Sequence, residues 1–255
     1  MTFSATLATR LAAASARAYA DCTVSAQRTD AQALVTVDDD AVIVAFRGSK
    51  EIKDWIQDGK FWQTHTVCGC VHAGFNGDLQ EILRPLLTAT REALSRMVSS
   101  GIASPQFYVT GHSLGGALAQ LFALACHDRF MHVSGVYTFG SPRVGDMEWA
   151  KTYGTLLGDR TFRVVNEYDL VPHLPLPGLL LRYWHTQSEV MLPVIGGEPV
   201  IGRSLVNHIF TDALMLWEAR QLIRRPLALF ENTAAEHSIE TYRQHLSLLT
   251  SAPTT

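Results

Sequence analysis

Three residue types in this chain could together break an acyl bond: a serine framed by glycines, an aspartate at a strand end, and a histidine downstream of both. The serine is Ser113, in Thr110-Gly111-His112-Ser113-Leu114-Gly115-Gly116. Gln106-Phe107-Tyr108-Val109 before it reads as a strand, and the apolar run from Gly116 to Cys126 behind it as a helix. Gly-x-Ser-x-Gly in a strand–turn–helix context is a nucleophile elbow. The turn strains the serine backbone, so the residues two positions away on either side must lack a Cβ. Gly116 would let the helix approach the sheet closely. Ser113 Oγ would then stand at a helix N-terminus, where the dipole and free N–H groups favour a developing negative charge.

A serine alone is a weak nucleophile; it needs a base, and the base needs an acid to orient it. In open α/β sheets the active groups collect beyond the carboxyl ends of the strands. Ser49 follows the run Val42–Arg47, Ser113 follows Phe107–Thr110, and Asp169 follows Phe162–Val165, with rigid Val171-Pro172 behind it. Asp146 and Asp159 read instead as helix-start and turn residues. The chain order Ser…Asp…His places the base after Asp169. Five histidines satisfy that order: His173, His185, His208, His237 and His245. His173 lies close to Asp169 and is restrained by Pro172. His185 falls in a strand pattern that suits a hydrogen-bonded structural role. His208 and His245 fall in predicted helices. His237, at a loop-to-helix junction after Glu236, fits best, with His208 the runner-up.

The elements that must position these groups are those of an α/β chain. The 255 residues, 47% hydrophobic and 18% charged, suit one domain spanning 1–255 with a large core. A net charge of -3 without a long Lys/Arg run argues against nucleic acid as a partner. No apolar run approaches the ~20 residues a transmembrane helix needs. The N-terminus has no basic n-region followed by an apolar h-region, so it reads as an Ala-rich helix. The expectation is a cytoplasmic chain or one exported by another route. Cys22, Cys68, Cys70 and Cys126 read as four thiols, since Cys68-Gly69-Cys70 is too close for a long-loop disulfide.

In order, the pattern predicts a helix over 5–20 and a hairpin of Ala33–Val37 and Ala41–Phe46 around Asp38-Asp39-Asp40. Ile52, Trp55 and Ile56 then give a short amphipathic helix a narrow apolar stripe. A surface helix and a movable flap over a site both fit that stripe. Phe61–Val67 reads as a strand, Val71–Phe75 as a turn and 78–99 as a helix interrupted at Pro85 and stopped at Gly101. Strands follow at Val133–Phe139, Thr161–Val165 and Leu181–Met191, with helices at Asp146–Leu157, about 204–225 and 238–249. Alternating strands and helices imply one mostly parallel sheet with helices on both faces.

Several stretches together resemble the fungal-type triacylglycerol lipases, also called class 3 lipases, an α/β-hydrolase family. They are Val44-Ala45-Phe46-Arg47-Gly48-Ser49, Trp55-Ile56-Gln57-Asp58, Val71–Phe75, Val109–Ala119, Tyr137–Gly145, Arg163–Asn166 with Asp169–Pro175, and Tyr183-Trp184-His185. They run in the family's order over about 34–190. The resemblance implies a serine carboxylic-ester hydrolase, a lipase acting on acylglycerols or other esters, with Ser113 as nucleophile, Asp169 as acid and His237 as base ahead of a helix bearing Tyr242. It implies an oxyanion hole from Ser49 and the Leu114 N–H, each donor worth ~3 kcal/mol. It makes 50–60 a lid whose Ile52, Trp55 and Ile56 shield an acyl groove in water and turn to lipid at a transient lipid–water interface. No metal or organic cofactor is required. A feruloyl-type esterase or phospholipase on the same frame is the alternative enzyme, and a non-catalytic module binding an acyl ligand the alternative outside catalysis. Secreted fungal members carry signal peptides and disulfides that this chain does not clearly show, and the resemblance does not extend over 204–232.

Overall fold

The acidic turn at Asp38–Asp40 closes the expected hairpin. Strands β2 (Gln32–Asp38) and β3 (Ala41–Phe46) pair antiparallel, from Asp38 opposite Ala41 to Ala33 opposite Phe46. Every residue of β3 is buried, because its two faces enter different cores. Val42, Val44 and Phe46 join one; Ala41, Ile43 and Ala45 join the other. This computed structural model describes residues 1–49, 62–175, 183–186, 189–192, 199–201 and 235–251.

Beyond β3 the sheet runs parallel through β6 (Gln106–His112), β7 (Gly135–Phe139), β8 (Thr161–Asn166) and β9 (Glu189–Leu192). Short antiparallel strands β1 (Val24–Ser25) and β10 (Val200–Ile201) complete the order β1-β2-β3-β6-β7-β8-β9-β10. The connections between parallel strands carry helices α2 (Ala73–Ser99), α3 (Leu114–His127) and α4 (Met147–Leu157). All three contribute to the core that holds Val42, Val44 and Phe46. Helices α1 (Ala5–Arg17) and α5 (Ile239–Ser251) cover the opposite face, where Leu11, Tyr242 and Leu246 pack with Ile43, Phe139 and Val164. Each such aliphatic or aromatic side chain contributes ~1.5–3 kcal/mol by burial. The mostly parallel sheet with helices on both faces is the α/β-hydrolase arrangement expected. No helix of the described residues is long and apolar enough to cross a membrane.

Four local expectations change. Residues 71–75 are not a turn: β5 (Gly69–His72) ends there and α2 begins at Ala73, with His72 Nδ1 accepting from Phe75 N at 3.3 Å. That side-chain cap starts the helix five residues before Asp78 despite Gly74 and Gly77. The strand expected at 61–67 is β4 (Gln63–Thr66), but among the described residues it pairs with β5 alone, in a separate two-stranded sheet. Pro85 lies inside α2 without ending it, and Gly101 takes φ +100° just past its end. Within the run 181–191, Glu189–Met191 belong to β9, which extends to Leu192, and Trp184 makes an isolated bridge to Gly145. The four cysteines are free thiols, Cys126 buried. The amphipathic segment 50–60, with Ile52, Trp55 and Ile56, and the helix expected at 204–225 lie outside the described residues.

Candidate active site

Ser113 occupies the turn between β6 and α3 with φ 58° and ψ -130°. For a residue with a Cβ this region costs ~1–3 kcal/mol. Two backbone bonds hold it there: Ser113 N donates to Phe139 O of β7 at 2.9 Å, and Gly116 N donates to Ser113 O at 2.9 Å. The flanking glycines make room for the turn. A Cβ on Gly111 would strike the Gly115 carbonyl, and one on Gly115 would strike the carbonyl of Phe46, the last residue of β3. The closeness expected at Gly116 is to Ser141 after β7, whose Cβ would lie 2.7 Å from an added Cβ. The Ser113 side chain makes no capping bond to α3. The first N–H groups of that helix, Leu114's among them, therefore do not use that side chain as an acceptor.

Ser49 follows Gly48 at the end of β3, and a Cβ on Gly48 would come within 3.2 Å of Ser113 Cβ. The end of β3 and the start of α3 thus flank the same serine.

Two strands away, Asp169 follows β8 and is fully buried. Its Oδ1 accepts from Val171 N at 2.9 Å. Its Oδ2 accepts from the Tyr242 hydroxyl at 2.7 Å and lies 2.7 Å from His237 Nδ1. A carboxylate surrounded by donors draws the imidazole proton to Nδ1, leaving the lone pair on Nε2. His237 Nε2 is buried and has no hydrogen-bond partner among the described residues. Buried polar atoms are seldom left unpaired; here the unpaired atom is the ring nitrogen that carries the lone pair. Burial, then the Asp169 charge, raise the Tyr242 phenol well above its ordinary pKa, so it stays a donor.

Strand β7 lies between the strands that carry Ser113 and Asp169. Just past its end, Gly140 takes φ 60°, and a Cβ there would sit 2.8 Å from Asp169 Oδ2 and 2.9 Å from His237 Cε1. The bare glycine lets the Asp169–His237 pair pass over the end of β7. Asn166, the last residue of β8, fixes the approach of the histidine loop. Its Nδ2 donates to Glu236 O at 2.9 Å, its N donates to the Tyr242 hydroxyl at 3.1 Å, and its Oδ1 accepts from His245 Nδ1 at 3.0 Å. Sequence reasoning gave neither Gly140 nor Asn166 a role. Their positions at strand ends were the available signal.

The remaining candidates fall elsewhere. His185 Nε2 donates to Pro172 O at 2.6 Å, a structural bond as expected. His245 is engaged by Asn166, and His173 ends a short 3-10 turn, Val171–His173. His208 lies outside the described residues. Asp146 caps α4 by accepting from Trp149 N at 2.8 Å, and Asp159 pairs with Arg160 at 2.9 Å.

Comparison with known proteins fits this geometry. A family model described as Lipase (class 3) matches residues 43–178. A lipase of Rhizomucor miehei is 39% identical over 141 residues, 52% of this chain and 37% of that protein. Secreted mono- and diacylglycerol lipase A of Penicillium cyclopium is 32% identical over 176 residues, 67% of this chain and 53% of its own length. The chain thus spans about half the length, or less, of these curated relatives. A solved structure described as a triacylglycerol lipase with a serine protease triad at its catalytic centre superposes with a TM-score of 0.66 at 30% identity. That match covers 78% of this chain and 84% of the other.

Proposed function

The chain belongs to the class 3 lipases, and from that premise we propose that it hydrolyses carboxylic esters of acylglycerols through Ser113, His237 and Asp169. The observation that carries this reading is the buried, unpaired Nε2 of His237, whose other nitrogen is held by Asp169. Ser113 Oγ attacks the ester carbonyl carbon as His237 Nε2 takes its proton. The carbonyl electron pair moves to oxygen, where Ser49 and the Leu114 N–H receive the negative charge. Asp169 stabilises the imidazolium without taking its proton. The tetrahedral adduct collapses, His237 protonates the leaving alcohol, and an acyl-Ser113 ester remains. Water then attacks that ester with His237 again as base, releasing the fatty acid and restoring Ser113.

The names of the relatives support acylglycerols as the substrate class: mono- and diacylglycerol lipases of Penicillium and Fusarium, and a triacylglycerol lipase of Arabidopsis. The test is hydrolysis of tributyrin and p-nitrophenyl butyrate by the chain and by Ser113→Ala. Loss of hydrolysis with folding retained is expected; unchanged hydrolysis overturns the assignment. The lid reading of 50–60 rests on its apolar stripe and on the resemblance. It expects activity on a short-chain ester to jump as the substrate passes its solubility limit, and a smooth saturation curve contradicts it.

A further inference from the structure

His112, immediately before Ser113, uses both ring nitrogens. Its Nε2 lies 2.5 Å from the main-chain oxygen of His237, and its Nδ1 lies 2.7 Å from the Tyr19 hydroxyl. A carbonyl only accepts, so Nε2 carries the proton and donates it. Nδ1 is then a lone pair, and the Tyr19 O–H donates to it. The His237 carbonyl therefore sets the tautomer of the histidine, and the Tyr19 hydroxyl anchors the ring from its other side. His112 is buried, and burial followed by neighbouring His237 holds its pKa well below the usual value, so the ring is neutral.

Tyr19 stands just past the end of α1, 93 residues from His112 in sequence. Its hydroxyl lies so close to Gly48 that a Cβ on that glycine would collide with it. Burial raises this phenol to about 12, offset in part by the Arg47 charge and then by the Gly48 N–H, which donates to the Tyr19 oxygen. Gly48 directly precedes Ser49.

The geometry points to a positioning relay in which Tyr19 and His112 fix the main chain of His237 relative to the strand end that carries Ser49. This deepens, and rests on, the ester-hydrolase reading above. The oxyanion side at Ser49 and the base at His237 are brought into register through a neutral ring beside Ser113. Neutrality matters, because the His112 and His237 ring centroids are 4.6 Å apart. A charge on His112 would oppose the imidazolium that His237 becomes during proton transfer. Without the Tyr19 hydroxyl, the ring keeps its Nε2–H bond to the His237 carbonyl but loses its tie to the Gly48 segment, and Nδ1 is left buried without that donor. The main chain of His237 is then no longer held in register with the strand end. Neither residue touches the reacting atoms in this scheme.

Tyr19→Phe keeps the ring and removes only the hydroxyl. Steady-state kinetics on p-nitrophenyl butyrate, with active sites counted by organophosphate titration, should show kcat lower by about 10- to 100-fold and KM within about two-fold. Thermal unfolding should shift little. His112→Gln, whose amide N–H can replace Nε2–H, should retain kcat within about 10-fold of wild type, and His112→Leu should lose at least about 100-fold. Should His112→Leu fail to fold, Tyr19→Phe decides alone. Wild-type kcat in Tyr19→Phe overturns the relay, as does a His112→Leu no slower than His112→Gln. Ser113→Ala run alongside separates the two claims. If it still hydrolyses the ester, the ester-hydrolase reading falls and the relay with it. If it is inactive while Tyr19→Phe is fully active, only the relay falls.

Discussion

Ser113 sits on a turn whose steric constraints lie mainly within Gly111–Gly116, with the Phe46 carbonyl and Ser141 as more distant walls and the Phe139 carbonyl accepting from its N–H. His237 is held instead by Asp169, by Asn166 through Glu236, and by His112, at sequence separations of 68, 70 and 125 residues. The Ser113 site is mainly steric and local; the His237 site is built of hydrogen bonds from β6, the end of β8 and α5. A steric site fails abruptly when one atom is added. A bonded site loses function in steps as each bond is removed, because the others still hold the ring near its place.

The largest expected effect removes the base. His237→Ala should lower kcat for p-nitrophenyl butyrate by about 10⁴- to 10⁶-fold, since nucleophile and base act as one unit. A loss under tenfold would mean another group accepts the serine proton.

Gly115→Ala tests the steric half. The new methyl meets the Phe46 carbonyl, which cannot move without disturbing β3. A cost of ~1–3 kcal/mol is expected, read as a melting temperature lower by ~2–10 °C together with lost activity. An unshifted melting curve would show that the elbow yields, and the contrast between the two sites would weaken.

Asn166→Ala tests the bonded half. It removes the donor to Glu236 O and the acceptor of His245. A kcat reduced by about 10- to 100-fold, with KM little changed, is the scale of ~1–3 kcal/mol from one broken buried network. Full activity would mean that the remaining ties suffice.

Tyr242→Phe should cost least, about 10-fold in kcat, since Asp169 keeps its bonds to His237 and Val171 N. The same variant has a pH signature. The Tyr242 phenol titrates well above its ordinary value of 10.0 in the folded chain, because burial and then Asp169 disfavour the phenolate. Its stabilising contribution is present below pH ~10, where both states hold the proton, and declines above that as the unfolded chain releases it first. Denaturant unfolding between pH 8 and 11 should therefore show stability falling at the alkaline end, less steeply in Tyr242→Phe.

The same contrast explains what was legible in the sequence. The elbow was readable because strain, glycines and helix follow one another along the chain. The β2–β3 hairpin was readable for a similar reason, three aspartates between two apolar runs. Asp169 is singled out by its place after a strand and His237 by its loop-to-helix junction, and the structure brings the two together, but what holds them is not legible locally. The gap that Gly140 leaves over β7, the bonds of Asn166, and the contact of Tyr19 with His112 exist only once distant strands are side by side. The start of α2 was missed because a histidine cap at His72 is an unusual signal, and Gly74 resembled a turn.

The central claim is that Ser113 is a nucleophile activated by His237. Its most direct test is covalent labelling by diethyl p-nitrophenyl phosphate, with the adduct located by peptide mass spectrometry. The expected result is one diethylphosphoryl group per chain on the peptide carrying Ser113, its formation strongly slowed in His237→Ala. Labelling elsewhere, or ester hydrolysis that persists with Ser113 unmodified under excess reagent, would contradict it.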